Sequence, residues 1–240
     1  MSTRSRVEQA QGFVLHTYPY RETSLIVEAF SRPHGRVALL ARGARRPRAA
    51  LRGALMQFQP LLLSWAGKGE VRTLLKVEWV GGAPMLRGEA LLCGFYLNEL
   101  LLRLLPREDP HELLFDAYAA AIARLAEAVE LAPGLRAFEK RLLAEVGYAL
   151  ALDREARTGE AINPVRLYSY EPDRGPVALG GAAQGTPSFS GRVLLRIARE
   201  DFSDPETAAQ SKVLMRLLIN HRLESQQLHS RRILADLQTL

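Results

Sequence analysis

One cysteine stands in 240 residues, Cys93. A lone thiol excludes an intrachain disulfide and a cysteine-based zinc site. It lies in the apolar run Leu91-Leu92-Cys93-Gly94-Phe95, the setting of a small buried hydrophobe in a reducing compartment. Histidine is thin too: His16, His34, His111, His221 and His229 are scattered, with no metal-ligand spacing. Gly-x-x-x-x-Gly-Lys-Ser/Thr does not occur, because the only Gly-Lys pair, Gly67-Lys68, lies in a predicted hairpin turn. A P-loop nucleotide site is therefore excluded. The Gly-x-Ser-x-Gly elbow of serine hydrolases is missing as well. Carboxylates are plentiful, but spacing alone singles out no pair for acid–base work. Neither an enzyme nor a cofactor is expected. Long apolar runs are also lacking. Met1 to Gln11 is polar, unlike a signal peptide, and the stretch Ala90 to Leu105 is broken by Asn98, Glu99 and Arg103. No membrane span is expected, and the expected location is the cytoplasm.

What remains is a globular composition, 48% hydrophobic and 24% charged, with a net charge of +6. The length suits one large domain or two small ones. Charge is distributed unevenly. Residues 1–80 carry 13 Lys or Arg against 5 Glu, while residues 81–240 carry 19 against 21 acids. The whole basic excess lies in the first third, which suggests a polyanionic partner for that part; general solubility is the alternative reading.

Residues 12–80 read as strands. Gly12 to Tyr18 ends at Pro19; Ser24 to Phe30, a turn at Pro33-His34-Gly35, and Arg36 to Ala41 follow. Pro60 to Trp65 and Glu70 to Trp79 are joined by Gly67-Lys68-Gly69, a turn in which glycine supplies positive φ. Alternation along the last strand predicts Val71, Thr73, Leu75, Val77 and Trp79 inward, with Arg72, Leu74 and Lys76 outward. Five short strands leave two exposed edges unless they close, and closure of five is the arrangement of an OB-type barrel. An SH3-like barrel fits the strand count almost as well. Gly81-Gly82-Ala83-Pro84 marks a domain boundary. Beyond it, helices are predicted over Glu89–Leu105, Glu112–Leu131, Leu135–Leu150 after a break at Pro133-Gly134, Pro205–Leu223 and Ser230–Leu237. Residues 153–191 are punctuated by glycine and proline, with one strand-like stretch, Val165 to Tyr170, and read as an irregular subdomain. The expected class is α+β: a barrel over 1–80, a helical bundle over 81–152 and 192–240, and the irregular insertion 153–191.

The densest feature is Arg42-Gly43-Ala44-Arg45-Arg46-Pro47-Arg48-Ala49-Ala50-Leu51-Arg52, with five arginines and no acid in eleven residues. Like charges so close repel one another, and an arginine fork suits phosphate, so a nucleic acid is the expected partner. A mobile solvated loop is the alternative. Arg36, Lys68, Arg72 and Lys76 would extend the patch, Arg72 and Lys76 from one outward strand face. OB barrels hold single strands by stacking bases on aromatics. Phe13, Phe30 and Trp79 fall on apolar faces, which leaves Tyr18 and Tyr20 beside Pro19 for exposure. A second site is read on the third helix. Arg136 is placed in its first turn, Lys140 follows at i+4, and Leu143 is nearby, a set that suits an acidic, hydrophobic carboxyl-terminal peptide. Surface ion pairs with Glu139 are the alternative.

The ordered series Phe13-Val14-Leu15-His16, Glu22-Thr23-Ser24-Leu25, Gly35-Arg36-Val37, Gly43-Ala44-Arg45-Arg46 and Phe58-Gln59-Pro60-Leu61-Leu62-Leu63 resembles the bacterial RecO family. So do Gly67-Lys68-Gly69-Glu70-Val71, Tyr96-Leu97-Asn98-Glu99-Leu100, Leu135-Arg136-Ala137-Phe138-Glu139, Leu142 to Tyr148, Ser190-Gly191 and Leu228-His229-Ser230-Arg231. The resemblance implies an amino-terminal OB fold, a helical bundle and a nucleoid-associated mediator of recombinational repair. Such proteins bind single- and double-stranded DNA and the carboxyl tail of single-stranded DNA-binding protein. With RecR they assist RecA loading, and they anneal complementary strands without ATP. Arg136 occupies the family position associated with that tail. One departure stands out. Many relatives carry four cysteines in the region of 153–191 as a zinc finger; here there are none, so no zinc is expected. An RNA-binding OB protein is the alternative, and a nuclease a more distant one.

Overall fold

The computed structural model describes residues 6–82, 84–127, 131–148, 150–180, 186–224 and 226–238, with side chains to residue 233. Ala83 of the boundary tetrapeptide, residues 128–130 of the second expected helix, Ala149 and residues 181–185 of the insertion lie outside them. In chain order the elements are β1 (Arg6–Tyr20), β2 (Ser24–Ser31), β3 (Gly35–Ala41), α1 (Ala50–Ala54), β4 (Leu61–Ala66), β5 (Val71–Trp79), α2 (Gly88–Leu104) and α3 (Glu112–Ala126). There follow α4 (Leu131–Glu145), β6 (Leu167–Glu171), β7 (Gly175–Ala178), β8 (Ser188–Ser190), α5 (Gly191–Ala198), α6 (Pro205–Arg222) and α7 (His229–Gln238). They divide into two compact units. One holds the barrel with α2, α3 and α7; the other holds α4, β6–β8, α5 and α6.

The barrel closes in the order β1-β2-β3-β5-β4, with β3 and β5 parallel and the other pairs antiparallel. This is the five-stranded OB arrangement expected from the strand count. β1 serves two partners: Arg6 to Gly12 pairs with β4, and Gly12 to Tyr20 pairs with β2. It changes partner at Gly12, where an added Cβ would stand 2.9 Å from Leu63 Cδ1 and 3.1 Å from the Phe30 carbonyl. Pro19 does not end the strand but sits inside it, opposite Leu25. Val14, Val27, Ala29, Val37, Leu39, Leu61, Leu63, Trp65 and Leu74 fill the interior.

The inward phase of β5 is the reverse of that expected in its first half. Leu74 is 4% exposed, whereas Leu75 is 47% exposed. Trp79, the last residue of the strand and also expected inward, is 63% exposed, its indole N–H donating to Gln59 Oε1 at 3.2 Å. Trp65 pairs with Leu74 but Ser64 with Lys76, so Leu75 is an extra residue on β5. A bulge of this kind breaks the period of two, and strict alternation cannot be carried across it.

By packing, α2 and α3 go with the barrel. Phe13 and Phe30 leave its wall and meet Phe115 at 5.5 and 5.4 Å between ring centroids, and Phe13 meets Tyr118 at 5.1 Å. Asn98 on α2 donates to the Leu15 carbonyl at 2.8 Å and accepts from the Tyr118 hydroxyl at 2.6 Å. The Glu99 carboxylate accepts from the backbone N–H groups of His229 and Ser230 at 2.9 Å, and so caps the start of α7.

In the second unit, α4 and α5 each pack on α6, and Phe138, Leu142, Val193, Leu194, Leu214 and Met215 on these helices are buried. Pro133-Gly134 does not break the chain ahead of α4 but lies within its first turn. Proline is tolerated there because first-turn N–H groups have no intrahelical acceptor. The described residues of the insertion, 153–180 and 186–191, hold more regular structure than their composition suggests. β6 is central in a three-stranded sheet ordered β7-β6-β8, with Tyr168, Val177 and Phe189 buried.

Candidate nucleic-acid interface

The β3–α1 connection carries Arg42, Arg45, Arg46 and Arg48, and α1 carries Arg52; all five side chains are exposed. Among the described residues none of the five has a carboxylate partner, in contrast to Arg32, Arg72, Arg107 and Arg136. The connection is held by its backbone, not by its charges. Gly43 N donates to Ser24 Oγ at 3.4 Å, and Arg45 N donates to the Thr23 carbonyl at 2.9 Å. Arg45 Nη1 also donates to the Arg21 carbonyl at 3.2 Å. The basic segment is thereby fastened to the β1–β2 turn, which adds Arg21, its guanidinium 5.3 Å from the centre of the Tyr20 ring. Ala44, fully buried, plugs this end of the barrel interior.

The other cations named from sequence do not join this cluster. Lys68 lies in the turn after Ala66, which pairs with Arg6, and so sits at the far end of β1 from Tyr20. Arg36 is turned inward, its side chain 17% exposed, donating to the Leu105 carbonyl at 2.9 Å and to Glu28 Oε2 at 3.4 Å. Burial lowers its pKa, opposed by Glu28. Arg107 binds the other oxygen of Glu28. Arg72 pairs with Glu108 at 2.9 Å and Lys76 with Glu78 at 2.8 Å. The Leu75 bulge lies between them, so they do not share the outward face predicted for both.

Sequence reasoning overlooked Arg21 and His16. Both adjoin Tyr18 and Tyr20, and the spacing His16, Tyr18, Tyr20 carries a period-of-two signal, provided that Pro19 is not taken as a stop. Tyr18 is 46% exposed and its ring centroid lies 4.4 Å from that of His16. On α2, Arg103 and Phe95 stand with His16, Tyr18 and Ile26 along a groove of about 950 Å³.

The second site is arranged differently from the surface set that its spacing suggests. Because α4 begins at Leu131, Arg136 falls in its second turn, not its first. Its side chain is 11% exposed and donates through Nη2 to Glu139 Oε1 at 2.7 Å, while Nε has no partner among the described residues. Lys140 Nζ donates to the Ala198 carbonyl at 2.7 Å and to Glu200 at 3.0 Å. Leu143 is buried and lines a cavity of about 260 Å³ with Tyr148, Tyr170 and Arg222. Burial raises the Tyr170 hydroxyl to about 12. Among the described residues no three His, Cys, Asp or Glu side chains come together as a metal site, and no helix is long and apolar enough to cross a membrane.

The family profile described as "Recombination protein O N terminal" matches residues 4–83, and "Recombination protein O C terminal" matches residues 85–232. A DNA repair protein RecO of Aromatoleum aromaticum is 56% identical over 240 residues, covering the whole of both chains. Those of an Azoarcus species and of Dechloromonas aromatica are 54% and 52% identical, over 99% and 100% of both chains.

Proposed function

This chain belongs to the RecO family of DNA repair proteins, and from that premise we propose that it is a non-catalytic recombination mediator. It binds single- and double-stranded DNA through the barrel of residues 1–80. It engages the acidic carboxyl tail of single-stranded DNA-binding protein through Arg136, with RecR it assists RecA loading, and it anneals complementary strands without ATP. The observation that carries the DNA reading is the set of five exposed arginines on a connection fixed by its backbone. Cations without a carboxylate partner are free to exchange counter-ions for phosphates. Arg36, Arg72 and Lys76 are each engaged by a carboxylate of the protein, Lys76 at the surface, and contribute to the field more than to contacts. Support for the tail is narrower. Arg136 keeps a donor, Nε, unspent beside its bond to Glu139, but the atom is buried, so the tail carboxylate has to move what covers it before taking that bond.

Salt dependence tests the DNA reading. If about four or five phosphates are neutralised, log affinity for a single strand falls against log salt with a slope of about −3. Arg45→Ala, Arg46→Ala and Arg48→Ala together should flatten that slope by about 2 and weaken all sequences alike. A triple variant with the wild-type slope would remove the loop from DNA binding.

A further inference from the structure

The barrel's open wall presents an ordered face beside the basic loop. Register fixes its rows: Tyr20 opposite Ser24; Tyr18 opposite Ile26, itself opposite Leu40; His16 opposite Glu28, itself opposite Ala38. Leu25 pairs with Ala41, so Arg42, one step on, continues the row of Ser24 and Tyr20. The partners of alternate phase, Val27, Leu39 and Ala41, lie in the barrel core, so these rows lie on its outer face. The His16 row is covered beyond His16 itself, with Glu28 2% and Ala38 1% exposed. One strand therefore carries three rings in a column, His16, Tyr18 and Tyr20. The column ends at Arg21 and Arg42 on one side and runs into the groove with Ile26, Leu92 and Phe95 on the other.

Resting on the DNA reading above, the geometry points to this column as a base-stacking track that makes the barrel prefer single-stranded DNA with accessible base faces. Charge complementarity selects a polyanion, because Arg42, Arg45, Arg46 and Arg48 adjoin the head of the track. Access to base faces selects a single strand. The His16 and Tyr18 rings meet edge to face, 4.4 Å between centroids, and form one platform, while Tyr20 stands about 6.6 Å further along the strand. Bases stacked within a duplex already use both faces and cannot enter; an extended single strand can set one base on the His16–Tyr18 platform and another against Tyr20. Tyr18 offers a face to solvent, and Phe95, 39% exposed, offers a second wall to a base in the groove. Stacking of this kind takes any base, so the track adds affinity without sequence preference.

The test separates stacking from charge. Full-length protein is titrated with a labelled thymidine oligonucleotide and with an abasic oligonucleotide of the same length and phosphate count. The wild-type chain should bind the base-bearing strand more tightly, by roughly five- to hundredfold for each stack formed. In Tyr18→Ala/Tyr20→Ala the two affinities should converge. In Tyr18→Phe/Tyr20→Phe the gap should persist, because stacking needs the ring and not the hydroxyl; retained abasic binding in either variant shows that the fold and the basic loop survive. Equal wild-type affinity for both strands, or an undiminished gap in the double alanine variant, overturns the track while leaving the basic loop in place. Failure of the wild-type chain to bind either strand overturns the DNA reading itself and the track with it.

Discussion

Asn98, 2% exposed, ties the Leu15 carbonyl of β1 to the Tyr118 hydroxyl of α3. All three residues are shut off from water, so the buried Asn98 amide relies on this carbonyl and hydroxyl to satisfy it. Burial pushes the Tyr118 hydroxyl above its ordinary pKa, which keeps it a neutral donor. Asn98→Leu keeps the volume but takes from the Leu15 carbonyl one of its two donors, Gln57 Nε2 at 2.5 Å being the other, and from the Tyr118 hydroxyl its Asn98 acceptor. It should cost about 1–3 kcal/mol of folding stability. Urea unfolding measures this, and a loss below about 0.5 kcal/mol, the scale of ordinary surface substitutions, would contradict it. From sequence, Asn98 and Glu99 register only as interruptions of an apolar run. Their partners lie 83 and 131 residues away, so nothing in a local window reveals that one anchors the barrel and the other caps α7. The arginines of 42–52 were legible for the opposite reason: their meaning lies in local density and in the lack of a nearby acid.

Elements followed the same division. The barrel strands, α2 and α6 were visible in periodicity, whereas three features needed the third dimension: the Leu75 bulge, the passage of α4 through Pro133-Gly134, and the sheet within 153–191. That sheet has little apolar material, and Glu155 supplies what composition cannot. Though only 6% exposed, its carboxylate accepts from the backbone N–H groups of Arg157 at 2.9 Å, Thr158 at 2.5 Å and Ala178 at 3.3 Å. It thus joins the 155–160 turn to β7. The Thr158 N–H above all, with Ala178 and Arg157, holds its pKa below the ordinary glutamate value of 4.5, against the effect of burial. A depressed carboxylate contributes stability above its unfolded pKa and loses it as pH falls through the folded value. In Glu155→Gln the amide NH₂ faces a donor, so the melting temperature at neutral pH should drop by about a few degrees. The gap between wild type and variant should close as pH falls below 4.5. Thermal melts across pH check this, and a pH-independent gap would show that shape and not charge is at work. Because the link is a carboxylate, a chelator should leave the wild-type melt unchanged; a fall on chelation would reveal a metal instead.

At the scale of the whole molecule, the two proposed contacts fall in different units, DNA on the barrel unit and the acidic tail on the unit of α4 and α6. Sites without shared partners should fail independently. The plain test of the second, Arg136→Ala, is confounded. It takes the Arg136 ion pair from Glu139, which is fully buried, and breaking a buried pair from one side costs about 3–5 kcal/mol. Replacing both partners, Arg136→Gln with Glu139→Gln, removes the two charges together and keeps groups able to hydrogen-bond, so folding should be largely spared. The tail peptide then loses a charge-assisted contact worth roughly 1.5–3 kcal/mol, a weakening of about tenfold to hundredfold. Single-strand affinity should stay within about twofold, since the arginines of 42–52 are untouched. The converse variant, with Arg45, Arg46 and Arg48 all changed to Ala, should lose the oligonucleotide and keep the peptide. Titrating a labelled tail peptide and a labelled oligonucleotide against both variants completes the cycle. If the double Gln variant weakens both ligands alike, Arg136 acts through folding. If the peptide binds it as tightly as wild type, the tail sits elsewhere, and the cavity beside Tyr148 and Arg222 becomes the place to look.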